Sequence, residues 1–165
     1  MSELRTNRIV PRDGLVSGAS GGVIQVVFFS LATGSTVTVN GTTLVDVLTA
    51  TITPTRSDSK ILVQVTSSPK TNGSSSNFQF GAQIQRDSTT IMYDNEYLQM
   101  NNGYAPNAFT GAYTVLDSPA STSALTYKFR CSRSVSGREL YFENSTDNTG
   151  NYYNKHTMTL MEISG

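Results

Sequence analysis

Short runs of alternating apolar and polar residues, separated by turn-forming residues, limit what this chain can fold into. Residues 49–65 read TATITPTRSDSKILVQV, in which two alternating runs flank a polar turn at residues 54–59. Ile52 lies on the apolar face of the first run, and Ile61 and Val63 lie on that of the second. Period-two alternation is typical of a half-buried strand, whereas Pro, Ser and Asp favour turns. The two runs therefore predict a strand pair in an antiparallel all-β domain.

The same pattern recurs along the chain and predicts nine or ten short strands. Residues 23–31 are too apolar for simple alternation, which indicates a strand covered on both faces, in a sandwich or at a subunit interface. The Asn40-Gly41 pair is a strong hairpin signal because it accepts positive φ, and residues 94–108 read as a long connection. Close turns between short strands predict an antiparallel β-sandwich or jelly roll. The other strand candidates are residues 35–39, 43–48, 78–86, 89–93, 109–117, 125–131 and 157–163.

Length and charge exclude several classes of protein. The 165 residues suit one β-domain at 23–165 preceded by an extended arm at 1–22. Twelve basic and twelve acidic residues give no bulk attraction to nucleic acid or an anionic membrane, and no apolar run approaches the ~20 residues that span a bilayer. The charged N-terminus has no apolar signal core, which favours synthesis in a cytoplasm. The single cysteine, Cys131, cannot form an intrachain disulfide and is expected to be inert in a strand.

The predicted arm combines charge, apolar residues and four glycines between positions 14 and 22. Glycine loses the most freedom on ordering, so this segment is either an unstructured terminus or an extended arm fixed by another subunit. Its apolar residues would have no use in a purely solvated tail, which favours docking. The residues expected to anchor the arm are Arg5, Arg8, Ile9, Val10, Arg12 and Leu15.

No group of residues predicts catalysis, a cofactor or a metal. The only histidine, His156, lies in a polar stretch and is expected to be exposed to solvent. Glu143 and Asp147 could supply carboxylates for glycoside hydrolysis, and Asp147 could bind calcium, but isolated acids in a loop are usually just solvated. Residues 18–22 are rich in glycine but lack the following Lys and Ser or Thr of a phosphate-binding loop. The chain is therefore expected not to be an enzyme.

The tyrosines are the best candidates for recognition. Tyr93, Tyr97, Tyr104, Tyr152 and Tyr153 lie in or beside predicted loops. Tyrosine offers contact area at low entropic cost and keeps a polar group, which suits binding of carbohydrate or protein. The alternative is that these rings pack over the ends of the sandwich or at subunit contacts.

Six motifs follow one another over nearly the whole chain. They are TNRIVPRDG at 6–14, SGASGGVIQV at 17–26, TPT with SKILV within 53–63, QRD before Ile91 within 85–91, DSPASTSA before Thr126-Tyr127 within 117–127, and LMEI at 160–163. Each motif alone is made of turn and strand residues. In this order they resemble virion proteins of tailed phages, especially phages of cyanobacteria and marine bacteria.

The resemblance implies a trimeric jelly roll of the tumour-necrosis-factor and complement-C1q type. The first strand and residues Phe78 to Phe80 would then be buried near the three-fold axis. It further implies a phage virion structural protein, a short homotrimeric tail fibre held to other virion proteins by its arm. Its β-domain would bind carbohydrate or protein on the host surface, with Tyr97, Tyr104, Tyr152 and Tyr153 as receptor-contact candidates.

Two alternative functions remain open from the sequence. The first is a capsid decoration protein with the same arm and trimer but no receptor. The second is a depolymerising enzyme that cuts surface polysaccharide. For the fibre and the decoration protein alike, the expected location is the virion, on the tail or on the capsid surface, after synthesis in the host cytoplasm.

Overall fold

The computed structural model describes residues 21–71, 78–100, 110–133, 139–146, 152–153 and 155–165. Within those ranges every regular element is a β-strand, and we number the strands β1 to β13 in chain order. The prediction of an all-β domain is confirmed.

The first sheet contains four antiparallel strands in the order β1-β13-β4-β8. Along each strand one face turns inward, so that apolar residues such as Ile61 and Leu160 are fully buried while their neighbours remain accessible. The strands are β1 Val23–Ser30, β4 Lys60–Ser67, β8 Gly111–Asp117 and β13 Thr157–Ile163.

The second sheet also contains four antiparallel strands, in the order β3-β9-β6-β7. The chain crosses between the two sheets after each long strand except at the β6–β7 hairpin, which is the connectivity of a jelly roll. The predicted antiparallel sandwich is therefore confirmed. The strands are β3 Val45–Ile52, β6 Phe78–Arg86, β7 Thr89–Met100 and β9 Leu125–Arg133.

Five shorter strands form two smaller sheets. A three-stranded sheet has the order β2-β10-β5, and β11 pairs with β12. These strands are β2 Thr36–Val39, β5 Lys70–Thr71, β10 Leu140–Glu143, β11 Ser145–Thr146 and β12 Tyr152–Tyr153.

The hydrophobic core lies between the two large sheets and extends beneath β2 and β10. Aromatic rings from the second sheet fill much of it, and Tyr113 of the first sheet stacks in a tilted geometry on Phe129 with ring centroids 5.8 Å apart. Among the described residues, the largest fully buried apolar side chains are Tyr127, Phe80, Phe129, Phe142, Leu48, Ile52, Ile61, Ile84, Leu140, Met158 and Leu160.

The two ends of the sandwich differ. Residue 21 joins the sandwich at the end we call the arm end, where the Gly21 N–H donates to the Ser164 carbonyl (3.0 Å) and the Ser164 N–H donates to the Gly22 carbonyl (2.9 Å). At the opposite end, here called the loop end, Ser30 pairs with Thr157. The connections that follow β1, β4, β7 and β9 all leave the sandwich at the loop end.

The strand pair predicted around residues 54–59 is wrong. Strand β3 belongs to the second sheet and β4 to the first, so the turn carries the chain from one sheet to the other. Alternation fixes which face of a strand is buried but not which strand lies beside it. Here β9 is the neighbour of β3, while β13 and β8 are the neighbours of β4.

The hairpin predicted at Asn40-Gly41 is also wrong, because β2 pairs with β10 rather than with β3. The Gly41 carbonyl instead accepts a hydrogen bond from the Arg133 N–H (2.8 Å). Two predicted runs at 43–53 form the single strand β3, which has a register shift between Asp46 and Leu48. Strand β7 extends to Met100, through residues predicted to be a connection.

Candidate interaction surfaces

A buried carboxylate organises the arm end. Glu162 of β13 is fully buried and accepts hydrogen bonds from Gln25 Nε2 (2.6 Å), the Thr55 N–H (2.8 Å) and the Thr55 hydroxyl (2.9 Å). Burial acts to raise the pKa of the Glu162 carboxyl, but the hydrogen bonds outweigh it and hold the pKa below its ordinary value. The ionised group therefore ties β1 and the 53–59 connection to β13.

A second polar cluster joins the two sheets at the same end. Asp117 Oδ2 accepts hydrogen bonds from Arg86 Nη1 (2.5 Å) and from the Tyr127 hydroxyl (2.6 Å). Burial is the main cause that raises the pKa of the Tyr127 hydroxyl, and the neighbouring Asp117 carboxylate raises it further. Tyr127 thus keeps its proton and remains a hydrogen-bond donor to Asp117.

The motifs that resemble phage virion proteins meet in these two clusters. The Glu162 cluster draws its residues from the motifs at 17–26, 53–63 and 160–163, and the Asp117 cluster draws on those at 85–91 and 117–127. Their side chains bind one another inside the arm end. Five of the six motifs thus help to build this end of the fold, and the sixth, at 6–14, lies outside the described residues.

An apolar band crosses the outer face of the first sheet. Val26, Met161, Leu62 and Leu116, one from each strand, are paired in register, so their side chains lie side by side. Val26 is 56% exposed and Leu116 is 51% exposed, and Val23 is similarly exposed toward the arm end. A contiguous exposed apolar surface makes this band a candidate interaction site.

Strand β1 lies at the edge of its sheet and is covered on one face only within a single chain. Val27 and Phe29 pack against the core, whereas Val26 and Phe28 point outward, with Phe28 65% exposed. The prediction that the sandwich covers this strand on both faces is therefore wrong, and its alternative, cover at a subunit interface, stays a prediction. Phe80 is fully buried within its own domain and the Phe78 side chain lies outside the description, so the burial of residues 78–80 near a three-fold axis stays a prediction.

Toward the loop end the outer face of the first sheet becomes polar. Phe28 pairs with Thr159, which in turn pairs with Gln64, and the next such row begins with Ser30 and Thr157. Phe28 is therefore an exposed aromatic ring among hydroxyl and amide groups, and it lies outside the apolar band.

The outer face of the second sheet is polar and charged. Asp46 accepts from Lys128 Nζ (2.6 Å) and Arg130 Nε (2.6 Å), while Arg130 Nη1 donates to Gln85 Oε1 (2.9 Å). Burial acts to raise the pKa of the Asp46 carboxyl, but the hydrogen bonds from the two cations outweigh it, and the pKa lies below its ordinary value. The two sheets thus present opposite kinds of surface, one apolar in its arm-end half and one polar.

His156 is fully buried, so the prediction that it is exposed to solvent is wrong. Its Nε2 donates to the Glu143 carbonyl (3.2 Å), which fixes the tautomer because a carbonyl can only accept. Nδ1 then accepts from the Ser67 hydroxyl (2.8 Å) and the Ser68 N–H (3.3 Å). The Phe142 ring contacts the imidazole edge-on. Burial lowers the pKa of His156 to about 4, so the ring is neutral at pH 7.

The Ser67–His156 contact has the separation of a nucleophile and its base, but it is closed to substrate. Both side chains are buried beneath the loop end, and the second ring nitrogen binds a carbonyl rather than a carboxylate. The pair joins the ends of β4 and β10 to the residue that precedes β13. We therefore assign it a structural role.

The predicted anchoring and receptor residues are placed only in part. Arg5, Arg8, Ile9, Val10, Arg12, Leu15 and Tyr104 lie outside the described residues. The backbone of Tyr97 belongs to β7, and Tyr152 and Tyr153 form β12, but their side chains lie outside the description. The sequence analysis predicted neither the apolar band nor a role for Asn144. The alternation of apolar and polar residues does not reveal which strands lie side by side.

Cys131 is buried in β9, and burial raises the pKa of its thiol. Since the thiolate is the reactive form, we expect the folded protein to react with a thiol reagent only through unfolding. Titration with dithionitrobenzoate should give no absorbance change under native conditions and one thiol per chain in denaturant. Rapid reaction of the native protein would contradict the buried position of Cys131.

Among the residues that the structure describes, no three His, Cys, Asp or Glu side chains gather as ligands for a metal ion. Within the same ranges no helix is long and apolar enough to cross a membrane.

Comparison with known proteins shows no family for this chain. No family model matches it, and no curated protein matches its sequence. A chain in the structure of infectious bursal disease virus, Gt strain, is similar to it with a TM-score of 0.42 and 11% sequence identity. The match covers 98% of this chain and 44% of the viral chain, so this chain spans less than half the length of the viral one. A match with so low a TM-score and sequence identity supports no conclusion about function.

Proposed function

We propose that this chain is a phage virion structural protein, a short homotrimeric tail fibre that attaches by its N-terminal arm and binds the host surface with its β-domain. The observation that supports this proposal is the difference between the two ends of the sandwich. The arm joins at one end, beside the apolar band, and the longer connections leave at the other. The resemblance of the motifs to tailed-phage virion proteins supports the same function.

In this proposal the apolar band is the contact between copies of the chain. The band crosses all four strands of the first sheet, and the chain has no net charge to oppose self-association. Burying it in a trimer would leave the polar second sheet and the loop end facing outward. Three weak receptor contacts on each trimer would then act together, so that adhesion needs no turnover of substrate.

Leu116→Asp is expected to convert the trimer into monomers. The substitution places a charge in the apolar band, where association would bury it without a partner. Sedimentation velocity or light scattering after gel filtration should give three chain masses for the native protein and one for the variant.

Thr114→Asp is the matched control because Thr114 is exposed on the same face of the same strand, two residues away and outside the band. It should remain trimeric. A native protein that is monomeric at micromolar concentration, or a trimer that is unaffected by Leu116→Asp, would remove this interface from the proposal.

The arm would hold the trimer to the virion. Arg5, Arg8 and Arg12 would pair with acidic groups of an acceptor protein, while Ile9, Val10 and Leu15 would supply apolar contact. Because the arm joins at the end opposite the long connections, attachment and receptor binding would not compete for one surface.

The position of the protein on intact virions tests this function. An antibody raised against the purified chain should label the tail at low copy number in electron micrographs of the phage. Label spread over the head at high copy number would instead support the decoration protein. Absence of the chain from purified virions would overturn both.

A further inference from the structure

A depression of about 220 Å³ lies at the loop end of β1, at the polar edge of the first sheet. The exposed Phe28 ring forms one wall, and the other lining side chains carry hydroxyl, amide or ammonium groups. The lining residues are Phe28, Ser30, Thr33, Asn144, Lys155 and Thr157.

Asn144, one of the lining residues, has a buried side-chain acceptor with no hydrogen-bond partner. The residue is 5% exposed, and its Nδ2 donates to the Leu31 carbonyl (2.5 Å), which fixes the orientation of the amide. Its backbone is also bonded, since the Gly34 N–H donates to its carbonyl (2.7 Å) and its own N–H donates to the Ser35 carbonyl (3.1 Å). The side-chain Oδ1, however, has no donor. A buried carbonyl left unpaired costs free energy, and a bound molecule whose donor reached this oxygen would recover that cost.

We propose that this depression binds one monosaccharide unit of a glycan, a proposal that rests on the host-binding function proposed above. The apolar face of a pyranose ring packs on an aromatic side chain, while its hydroxyls can both donate and accept. Phe28 offers the first surface, Asn144 Oδ1 needs a donor, and Thr33 and Thr157 carry hydroxyls that do both.

The size and surroundings of the depression favour a saccharide over the other occupants. Pockets for larger organic ligands have volumes of ~300–1,000 Å³, so this one suits a single sugar unit. A second copy of the chain is a poorer fit, because Phe28 touches the apolar band only through Val26 on its own strand, while its partners across the sheet are Thr159 and, beyond it, Gln64. The site lies at the loop end, and the proposal requires that it stay accessible when the band is buried.

Saturation-transfer NMR on the full chain tests the proposal. The probes are glucose, galactose, mannose, N-acetylglucosamine, N-acetylgalactosamine and N-acetylneuraminic acid, each supplied as the free sugar. We expect one of them to receive saturation from the protein. Phe28→Ala should weaken its binding about fivefold, since an aromatic contact worth ~1 kcal/mol corresponds to that factor.

Val26→Ala is the matched control because Val26 is exposed on the same face of β1 but lies outside the depression. It should keep full sugar binding, while Thr33→Trp, which fills the site without touching the core, should abolish it. The proposal is overturned if no probe is saturated, if Phe28→Ala and Val26→Ala bind equally, or if Phe28→Ala dissociates the trimer as Leu116→Asp does. Binding of the fluorescent trimer to host cells separates the two proposals, since adhesion that survives Phe28→Ala leaves the fibre function standing and removes this site.

Discussion

Asp117→Ala is expected to lower the free energy of unfolding by about 3 kcal/mol, the scale on which removing one partner of a buried ion pair acts. The variant leaves the Arg86 guanidinium without its carboxylate and the Tyr127 hydroxyl without its acceptor, both at the junction of the two sheets. Urea unfolding at a fixed chain concentration should show a lower midpoint with an unchanged slope.

Asp58→Ala is the control for this variant. The Arg56–Asp58 pair is also close, at 2.9 Å, but more than half of each side chain is exposed. Its loss should leave the unfolding midpoint unchanged, because solvent already screens such a pair. The double variant Arg86→Met/Asp117→Leu should recover part of the loss, since it leaves no buried charge. A midpoint for Asp117→Ala equal to that of Asp58→Ala would contradict the role of the cluster.

The fold class could be predicted from the sequence because each large strand buries one face. Strand β13 is the clearest case: residues 157–163 alternate, and the structure assigns them to one strand with the same bounds. The turn at Asp87-Ser88 could be predicted from the sequence equally well. Asp tolerates the positive φ of 48° that Asp87 adopts between β6 and β7.

The pairing of the strands and the positions of the candidate interaction surfaces were harder to predict from the sequence. The connection at 54–59 looks like a hairpin turn, yet it crosses between sheets, because nothing in a local pattern states which strand will lie beside it. The apolar band depends on four side chains from four distant strands, so only the register reveals it. His156 looked solvated among polar neighbours because its partners, Ser67 and the Glu143 carbonyl, are far from it in the sequence or belong to the backbone.

His156 is also expected to make the protein sensitive to mild acid. Its pKa is about 4 in the folded chain, against an ordinary value of 6.5, chiefly because burial disfavours the charged imidazolium. The Glu143 carbonyl and carboxylate oppose this shift, and the Lys70 ammonium adds to it. Above pH 6.5 the ring is neutral in both states, so it adds no pH dependence to the free energy of unfolding. Between pH 6.5 and 4 only the unfolded chain gains the proton, so the free energy of unfolding falls as the pH falls.

The full loss should approach about 3 kcal/mol near pH 4, since each unit of pKa shift corresponds to ~1.36 kcal/mol. Urea unfolding of the native chain and of His156→Gln, measured at half-unit steps of pH, isolates this contribution. Carboxyl groups whose pKa is lowered, such as Glu162 and Asp46, destabilise both proteins alike at low pH and cancel in the difference. The variant should start less stable at pH 7 and lose less stability down to pH 4. If the free energy of unfolding falls with pH in parallel for the two proteins, the imidazole is protonated without opening the loop end. Burial of His156 would then not be the reason that the protein loses stability in acid.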